Sequence, residues 1–429
     1  MALLRPFRGV SYDQSKAGPL VSLLSPPQDA ISAERFAALQ AGSPFHFGHL
    51  DLCHHHVGMR VSAEQFVHAG HRYRSWLQQG ILRRDETPAY YLLEETFLKA
   101  GAPCQRLSVI GAVQVQPYAA RVILPHERTL DGAKQDRLQL LRALRAQLSP
   151  ILLLVDDQRA TLLGWRQRVV GPPLFTVEAV GGVSTTLYRV DDPELMHDIT
   201  ARWSLADMVI ADGHHRYETA LAYLDEAGSS GHGHYVMASM MAAGDSDMVL
   251  DPFHRLLDHL SLEEVDAWQR YHAAHAQCRP VTSDDPETWR SVLEDASAAR
   301  PAYLLLLQRG TGLEVLLVEW PAPSPSDASP LAVQVLHETV LPALTGLDVA
   351  AQASLPASAF ASDALELAAR LRVAQSGVGV LLPSLRYMDV LRVCRQGLPL
   401  PQKSTRFHPK PPGGLIVMDV DAASEAGTS

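Results

Sequence analysis

The sequence predicts a mixed α/β protein, because helical and strand-like patterns alternate through most of the chain. Residues 62–79 carry apolar side chains at three- and four-residue spacing and are followed by Gly80, a typical helix stop. Residues 136–148 show a second helical pattern, which Ser149 and Pro150 close. Ile151–Val155 is wholly apolar and therefore predicts a buried strand.

The composition excludes several classes of protein. Of the 429 residues, 47% are hydrophobic and 20% charged, so the chain can form two or three domains with their own cores. With 37 Lys and Arg against 47 Asp and Glu, the net charge is −10, which disfavours DNA or RNA as the main partner. The four cysteines form no C-x-x-C pair, which disfavours zinc-ribbon and thioredoxin-type sites.

The apolar runs are short. None approaches the roughly 20 residues of a bilayer span, and the first residues lack the apolar segment of a signal peptide. We therefore expect a cytoplasmic protein that does not contact membranes. The Pro- and Ser-rich residues 321–330 predict an exposed linker. The oligomeric state stays open.

Residues 208–224 predict a strand-to-helix turn with binding chemistry. An apolar strand pattern ends at the turn and an amphipathic helix pattern follows it. The turn and the helix start hold five candidate groups: Asp212, Gly213, His214, His215 and Arg216. A helix N-terminus presents backbone N–H groups and partial positive charge, and a glycine permits close approach, which favours a phosphate. The alternative is that Asp212 only caps the helix and the histidines bond local carbonyls.

A transition-metal site at this turn is disfavoured. Adjacent histidines on a helix point about 100° apart, so His214 and His215 rarely bind one ion together. We expect no metal held by these residues alone.

Residues 123–129 place an acid, a base and a cation in one loop. Glu127 is suited to act as a general base, and Arg128 and Thr129 are suited to hold an anion beside His126. A zinc-binding H-E-x-x-H motif is excluded because Leu130 stands where the second histidine is needed. The alternative is that these charges are only solvated.

The C-terminal residues 399–410 form a basic segment bounded by prolines. Charges and hydroxyls suited to phosphate or carboxylate are supplied by Lys403, Ser404, Thr405, Arg406 and Lys410. It is not a P-loop, because the preceding glycines are missing. The alternative is a solvated basic tail. Two single positions are also open: Asp29 either caps a helix or faces a ligand, and His254 either lines a site or is an ordinary loop histidine.

Taken in order, these segments resemble those of the domain of unknown function 1015 (DUF1015) family. The resemblance rests on P-F-R at 6–8, S-P-P-Q-D-A-I at 25–31, P-H-E-R-T at 125–129, I-A-D-G-H-H-R-Y-E-T-A-L at 210–221, H-R at 254–255 and P-Q-K-S-T-R-F-H-P-K at 401–410. The chain departs from the family pattern at Gln28, at residues 251–253 and at His408.

The Asp212–Arg216 segment also resembles the ParB/sulfiredoxin-like superfamily, which includes free serine kinases. In that superfamily a strand, a glycine turn and a basic helix start hold nucleotide phosphates. The resemblance implies a ParB/sulfiredoxin-like core with large insertions in residues 1–255. It leaves a C-terminal α/β region in residues 256–429, whose basic tail would return to the site.

Residues and resemblance together predict a nucleotide-dependent phosphotransferase that acts on a small hydroxyl metabolite, with free serine as one candidate. Mg²⁺ and ATP or ADP are the expected cofactors. Glu127, Asp212 and His215 are the expected catalytic groups, with Asp29 and Asp156 as substitutes for the base. Phosphate would be bound by residues 213–216, Arg128, Thr129, Lys403, Ser404 and Arg406, and substrate by Asp29, His126 and His254. A non-catalytic nucleotide or phosphometabolite-binding regulator and a phosphoester hydrolase are the alternatives.

Overall fold

The computed structural model describes residues 3–26, 33–51, 61–99, 102–127, 132–157, 161–180, 182–227, 234–243, 250–321, 330–397, 400–407 and 410–420. The chain forms two compact units. The first unit comprises Met1–Pro125, Thr129–Met248 and Pro409–Ser429, and the second comprises His126–Arg128 and Val249–His408. The proposed division of the chain at residues 255 and 256 stays a prediction.

The described strands, in chain order, are β1 (Leu4–Arg5), β2 (Gly9–Tyr12), β3 (Leu82–Arg84), β4 (Tyr90–Lys99), β5 (Ala102–Gln114), β6 (Ile123–Pro125), β7 (Ala146–Gln147), β8 (Ile151–Val155), β9 (Phe175–Val180), β10 (Val183–Val190), β11 (Met208–Asp212), β12 (Tyr235–Ala242), β13 (Leu250–Asp251), β14 (His254–Asp258), β15 (Gln277–Pro280), β16 (Ala302–Arg309), β17 (Gly312–Glu319), β18 (Phe360–Ala361), β19 (Ser376–Leu381), β20 (Arg406–Phe407) and β21 (Val417–Asp419).

The described α-helices are α1 (Gln14–Ala17), α2 (Ala33–Gly42), α3 (Gly48–Asp51), α4 (Ala63–Gln79), α5 (Gly132–Leu144), α6 (Thr161–Arg168), α7 (Pro193–Trp203), α8 (His214–Ala227), α9 (Leu262–His275), α10 (Pro286–Ser297), α11 (Ala332–Val335), α12 (Leu341–Thr345), α13 (Ala364–Ala374) and α14 (Tyr387–Arg395). A π-helical turn, Leu336–Val340, joins α11 to α12.

The first unit is built on a large mixed sheet. Among the described strands its order is β6-β11-β8-β12-β5-β4-β10-β9, with β1 added beside β5. The pairs β6–β11 and β8–β12 are parallel, and the other pairs of this sheet are antiparallel. One face packs on α4 and a smaller sheet of order β3-β2-β21-β7, and the other face packs on α6, α7 and α8.

The second unit has its own sheet and core. Its described strands follow the order β15-β17-β16-β19-β14-β18, and β13 pairs with β20 apart from that sheet. Helices α10 and α13 cover one face of the sheet, where Trp289 and Leu367 are fully buried. The neighbouring α9 buries His272, whose imidazole lies 2.7 Å from the hydroxyl of Tyr303.

The predicted helices and strands reflect strong local signals. The first predicted helix is α4, with Ser62 as its N-cap in a reciprocal capping box with Gln65 and with Gly80 in the left-handed conformation at its end. Residues 151–155 form β8 as predicted. The second predicted helix, α5, begins and ends four residues earlier than the pattern 136–148 indicated, because β7 takes the chain before Ser149.

The mixed α/β fold class is confirmed by this architecture. The ParB/sulfiredoxin label for the core stays a prediction. None of the helices that the structure describes is long and apolar enough to cross a membrane.

A buried ion pair lies between the central strands of the large sheet. The Arg106 guanidinium on β5 donates to one oxygen of Glu95 on β4, with Nε–O and Nη2–O distances of 2.8 and 2.6 Å. Both side chains are at most 6% exposed. The second Glu95 oxygen and the hydroxyl of Thr185, which stands opposite Glu95 on β10, have no hydrogen-bond partner among the described residues. Burial of this ion pair therefore carries a desolvation free energy that its hydrogen bonds offset only in part.

We expect Arg106→Met to lower the free energy of unfolding by about 3–5 kcal/mol, because it leaves the Glu95 carboxylate buried and uncompensated. The double variant Arg106→Met/Glu95→Met should recover most of that loss, since it removes both charges. Guanidinium chloride unfolding measures both. Arg142→Met, which breaks an exposed pair with Glu226, should cost no more than about 1 kcal/mol. Equal losses in the single and double variants would contradict the assignment.

Candidate functional site

The predicted strand-to-helix turn is present in the first unit. Strand β11 runs buried up to Asp212, and α8 begins at His214. Gly213 between them has φ +93°, a conformation that L residues rarely adopt. A Cβ at this position would lie 2.9 Å from Arg216 Nη2 and 3.0 Å from Ile151 Cγ2. The glycine is therefore required both by the backbone conformation and by its close neighbours.

Two cations hold the Asp212 carboxylate. Arg216 Nη2 donates to Oδ2 at 2.6 Å, and Lys410 Nζ lies 3.3 Å from Oδ1. Burial alone would raise the pKa of Asp212, but Lys410 and then Arg216 outweigh it and lower that pKa to about 2. The side chain is about 30% exposed. Asp212 is therefore a fixed negative charge at neutral pH.

Arg216 has a structural task besides its ion pair. Its Nη1 donates to the carbonyl oxygen of Pro150, directly before β8. The guanidinium thus joins the turn to the start of the neighbouring strand. The sequence predicts Arg216 as a phosphate ligand, and the structure shows at least two of its N–H groups already directed to protein oxygens.

The first turn of α8 is anchored on its buried side. His214 is 3% exposed and His215 is half-buried. The Tyr217 N–H donates to the Gly213 carbonyl, and its hydroxyl donates to the carbonyl of Gln116 at 2.7 Å. The backbone N–H groups of a first helical turn point along the axis, toward the turn that Gly213 opens. The site is therefore a preformed helix N-terminus.

Asp156, a substitute for the general base, lies at the other end of β11. Strands β8 and β11 are antiparallel, with Leu152 opposite Asp212 and Val155 opposite Met208. The Asp156 N–H donates to the carbonyl of Asp207. The length of β11 therefore separates Asp156 from Asp212.

A second set of predicted residues lies in the second unit. His126 is 1% exposed, and its Nε2 lies 2.6 Å from the hydroxyl of Thr405. The Glu127 carboxylate accepts the Lys403 N–H at 3.4 Å and lies 4.0 Å from His126 Nε2. The His126 carbonyl also accepts the Leu400 N–H at 2.8 Å. The structure therefore brings the 126–127 loop and the basic segment together.

Arg255 anchors the turn that carries Lys403. It is 2% exposed and donates to the carbonyls of Gln402 at 3.2 Å and Lys403 at 3.3 Å. Its Nε donates to His337 Nε2 at 2.9 Å, so the neutral His337 carries its proton on Nδ1, 2.5 Å from Gln352 Oε1. Burial, followed by the charge of Arg255, lowers the pKa of His337 to about 3, which keeps it an acceptor.

The Lys403 turn is strained. Lys403 has φ +59°, which is uncommon for a residue with a side chain. Its Nζ lies 5.0 Å from the centre of the Phe253 ring, and Arg406 Cζ lies 5.9 Å from the same ring. Ser404 is fully buried and donates to the Pro401 carbonyl at 2.5 Å. In this arrangement Ser404 closes the turn, while Lys403 stays exposed.

His254 is buried beside this turn. It is 7% exposed, and its Nδ1 accepts the Leu382 N–H at 3.2 Å. Burial, followed by the charges of Arg255, Arg290 and Arg406, lowers its pKa to about 3. His254 is therefore neutral at physiological pH and carries its proton on Nε2.

Three predicted ligands, Asp29, Arg128 and Thr129, lie outside the described residues. Within the described part of the chain, no group of three or more His, Cys, Asp or Glu side chains is arranged to hold a metal ion. Cys104, Cys278 and Cys394 are free thiols.

Three contacts of these sites were not predicted from the sequence. They are the pairing of Lys410 with Asp212, the bond between Thr405 and His126, and the Arg255–His337–Gln352 network. The first two have a weak signal, since both residues stand in the basic segment that the sequence singles out. In the third, Arg255 belongs to the H-R segment at 254–255, whereas no motif marks His337 or Gln352.

We expect Asp212→Asn to lower the free energy of unfolding by about 2 kcal/mol at neutral pH, the equivalent of its pKa shift. Its folded pKa of about 2 lies below the ordinary 3.8. The stabilisation is therefore complete above pH 3.8 and is lost as the pH falls through about 2. Denaturant unfolding of both proteins between pH 7 and pH 2 measures the difference.

Asp225→Asn, at an exposed position of the same helix, controls for the loss of one carboxylate and should stay within about 0.5 kcal/mol of the wild type. A wild-type advantage over Asp212→Asn that does not change with pH would contradict the paired-carboxylate interpretation.

The chain resembles several solved structures. Among solved structures, it is similar to a conserved hypothetical protein from Pyrococcus furiosus, with 12% identity, a TM-score of 0.34 and coverage of 70% of this chain and 90% of that chain. It is also similar to a free serine kinase in complex with AMP, with 12% identity, a TM-score of 0.37 and coverage of 73% and 91%. A third similar structure is SbnI with C-terminal truncation from Staphylococcus aureus, with 13% identity, a TM-score of 0.33 and coverage of 70% and 82%.

A search of curated proteins found no match. The model of the family described as "Protein of unknown function (DUF1015)" matches residues 4–349. This match confirms the family that the motifs predicted, and the chain belongs to the DUF1015 family.

Proposed function

We propose that this protein is a nucleotide-dependent phosphotransferase that binds nucleotide phosphate at the N-terminus of α8. The observation that carries the proposal is the turn at Gly213, where a residue with positive φ directly precedes the N-terminus of α8, whose backbone N–H groups are suited to bind an anion. The motif resemblance to free serine kinases supports phosphoryl transfer to a small hydroxyl metabolite, with serine as the first candidate.

Each group at the turn has a role that follows from its contacts. His214 is buried, so in this proposal the half-buried His215 supplies an imidazole donor at the helix start. Arg216 holds Asp212 and Pro150, so it fixes the shape of the turn as well as its charge. A carboxylate with a pKa near 2 is a weak proton acceptor. Asp212 therefore acts as an electrostatic and positioning group in this proposal, and the base is a different residue.

Mg²⁺ suits this chemistry only as a partner of the nucleotide. Of the described residues at the turn, Asp212 offers a carboxylate, but each of its oxygens is already ion-paired. Mg²⁺ typically keeps several waters and binds through one or two carboxylates plus substrate phosphates. When bound to the phosphates, Mg²⁺ would neutralise part of their charge.

In the proposed reaction the hydroxyl oxygen of the substrate forms a bond to the terminal phosphorus as the bond from that phosphorus to the nucleotide oxygen breaks. The nucleotide leaves with one phosphate fewer, and the hydroxyl proton passes to a base. Glu127 stays the predicted base. Glu127→Gln tests it, since loss of turnover with unchanged nucleotide binding is expected of a base.

Nucleotide binding is the decisive first test. We expect calorimetry to detect ATP or ADP with Mg²⁺ at a dissociation constant on the order of micromolar. Gly213→Ala should weaken binding at least about tenfold, because the left-handed backbone costs about 1–2 kcal/mol for an L residue and the new methyl group crowds Arg216 and Ile151. CTP serves as the comparison nucleotide.

Gly171→Ala is the matched control for this substitution. Gly171 also has a positive φ, +107°, but a Cβ there meets no atom within 4 Å. The control carries the same kind of backbone strain at a position outside α8 and its preceding turn, and it should bind nucleotide like the wild type. Equal binding by Gly213→Ala and the wild type would contradict the proposed phosphate site.

Turnover separates the three candidate functions. We expect a new phosphomonoester signal in ³¹P NMR when the protein, nucleotide, Mg²⁺ and serine or another small hydroxyl metabolite are mixed, and His215→Ala should reduce its rate by at least about tenfold. Nucleotide binding without turnover over a broad panel of hydroxyl metabolites would favour the regulator. Release of inorganic phosphate without any acceptor would favour the hydrolase.

A further inference from the structure

A polar cavity lies within the second unit, and none of the residues that line it belongs to the Gly213 turn or to α8. It has a volume of about 60 Å³, several times the roughly 10–15 Å³ that a single water requires. We name it the His254 cavity after the buried histidine in its wall. Its charged and polar lining includes His254, Arg290, Arg406, Asp251, Glu294 and Asp363.

In the part of the chain that the structure describes, the two arginines of this cavity are not ion-paired. Among the described residues, no ion pair joins Arg290 or Arg406 to a carboxylate, although carboxylates line the same cavity. Arg406 Nε is buried and has no hydrogen-bond partner in the described part of the chain. A buried guanidinium N–H without an acceptor is costly. A ligand oxygen would satisfy it.

His254 adds a donor of defined geometry. The imidazole is more than nine-tenths buried, and its Nδ1 accepts the Leu382 N–H. The neutral ring therefore carries its proton on Nε2, the one donor that it has left. Arg290 and Arg406 line the same cavity as His254, so all three groups can contact one small ligand.

The acidic side chains in the cavity wall limit the negative charge that a bound ligand can carry. Asp363 caps α13 by accepting the Glu366 N–H, and Asp251 accepts the Ser384 hydroxyl at 3.4 Å. With Glu294 they give three negative charges against two arginines. A singly charged carboxylate meets less repulsion from these acidic groups than a phosphate dianion does, and its two oxygens match the N–H fork of an arginine.

We propose that the His254 cavity binds a small carboxylate, held by Arg406 and His254 with Arg290 at the entrance. The ligand is either a simple monocarboxylate or the carboxylate of a small amino acid, whose ammonium would face the acidic groups. This inference goes beyond the proposed function, and its test does not depend on nucleotide binding or turnover.

Fluoroacetate is the probe, observed by ¹⁹F NMR with the full-length protein. We expect its resonance to broaden on addition of protein and to sharpen again when excess acetate displaces it. Arg406→Gln should weaken binding about tenfold or more, since it removes charged hydrogen bonds. Arg290 is exposed, so Arg290→Gln gives a second loss of binding with little risk to the fold.

Arg386→Gln is the control, because Arg386 is an exposed arginine of the same unit that pairs with Asp389. It should bind the probe like the wild type. Stronger displacement by glycine than by acetate would assign the carboxylate to an amino acid, and the reverse order would assign it to a simple monocarboxylate. Three results would overturn the proposal. They are no broadening with the wild-type protein, wild-type binding by both Arg406→Gln and Arg290→Gln, and displacement of the probe by inorganic phosphate but by neither acetate nor glycine.

Discussion

The candidate site of the first unit depends on the ion pairs that the Asp212 carboxylate makes with Arg216 and Lys410. It joins the end of β11 to the first turn of α8 through Arg216 and to the C-terminal segment through Lys410. A half-buried carboxylate is stable only when its charge is compensated, and here two cations share that task. Because Arg216 also donates to Pro150, the same charge cluster fixes the start of β8. The Gly213 turn is thus held in place by the ion pairs of Asp212, which precedes it, and by the contacts of Arg216, which follows it.

The second unit contains a buried cation, Arg255. Among the described residues, the contacts that hold its guanidinium do not include a carboxylate. Arg255 donates to main-chain carbonyls and to the neutral imidazole of His337. Carbonyl dipoles can stabilise a guanidinium only if they converge on it, which restricts the backbone of the Lys403 turn. The strain at Lys403 is maintained by that convergence. His337 itself sits in a π-helical turn, a feature often found near functional sites.

Local features of the fold and site followed from the sequence, and long-range ones did not. The capping residues of α4, the apolar run of β8 and the Asp212-Gly213 turn are encoded within a few residues. The contact between Lys410 and Asp212 joins positions about 200 residues apart, and a single sequence has no pattern that pairs one lysine with one aspartate. The same holds for Thr405 and His126, whose pairing depends on how the chain returns to the 126–127 loop.

Arg216 shows how the structure changes the meaning of a motif residue. A basic residue at a helix start predicts a phosphate ligand. The Arg216 guanidinium, however, already donates hydrogen bonds to a carboxylate and to a main-chain carbonyl. Lysine has the same charge and yet lacks the planar fork that reaches two acceptors in different directions. The need for arginine is therefore explained by the architecture of the turn before any ligand is considered. If phosphate binds here, the backbone N–H groups of α8 supply the recognition, and Arg216 keeps them in place.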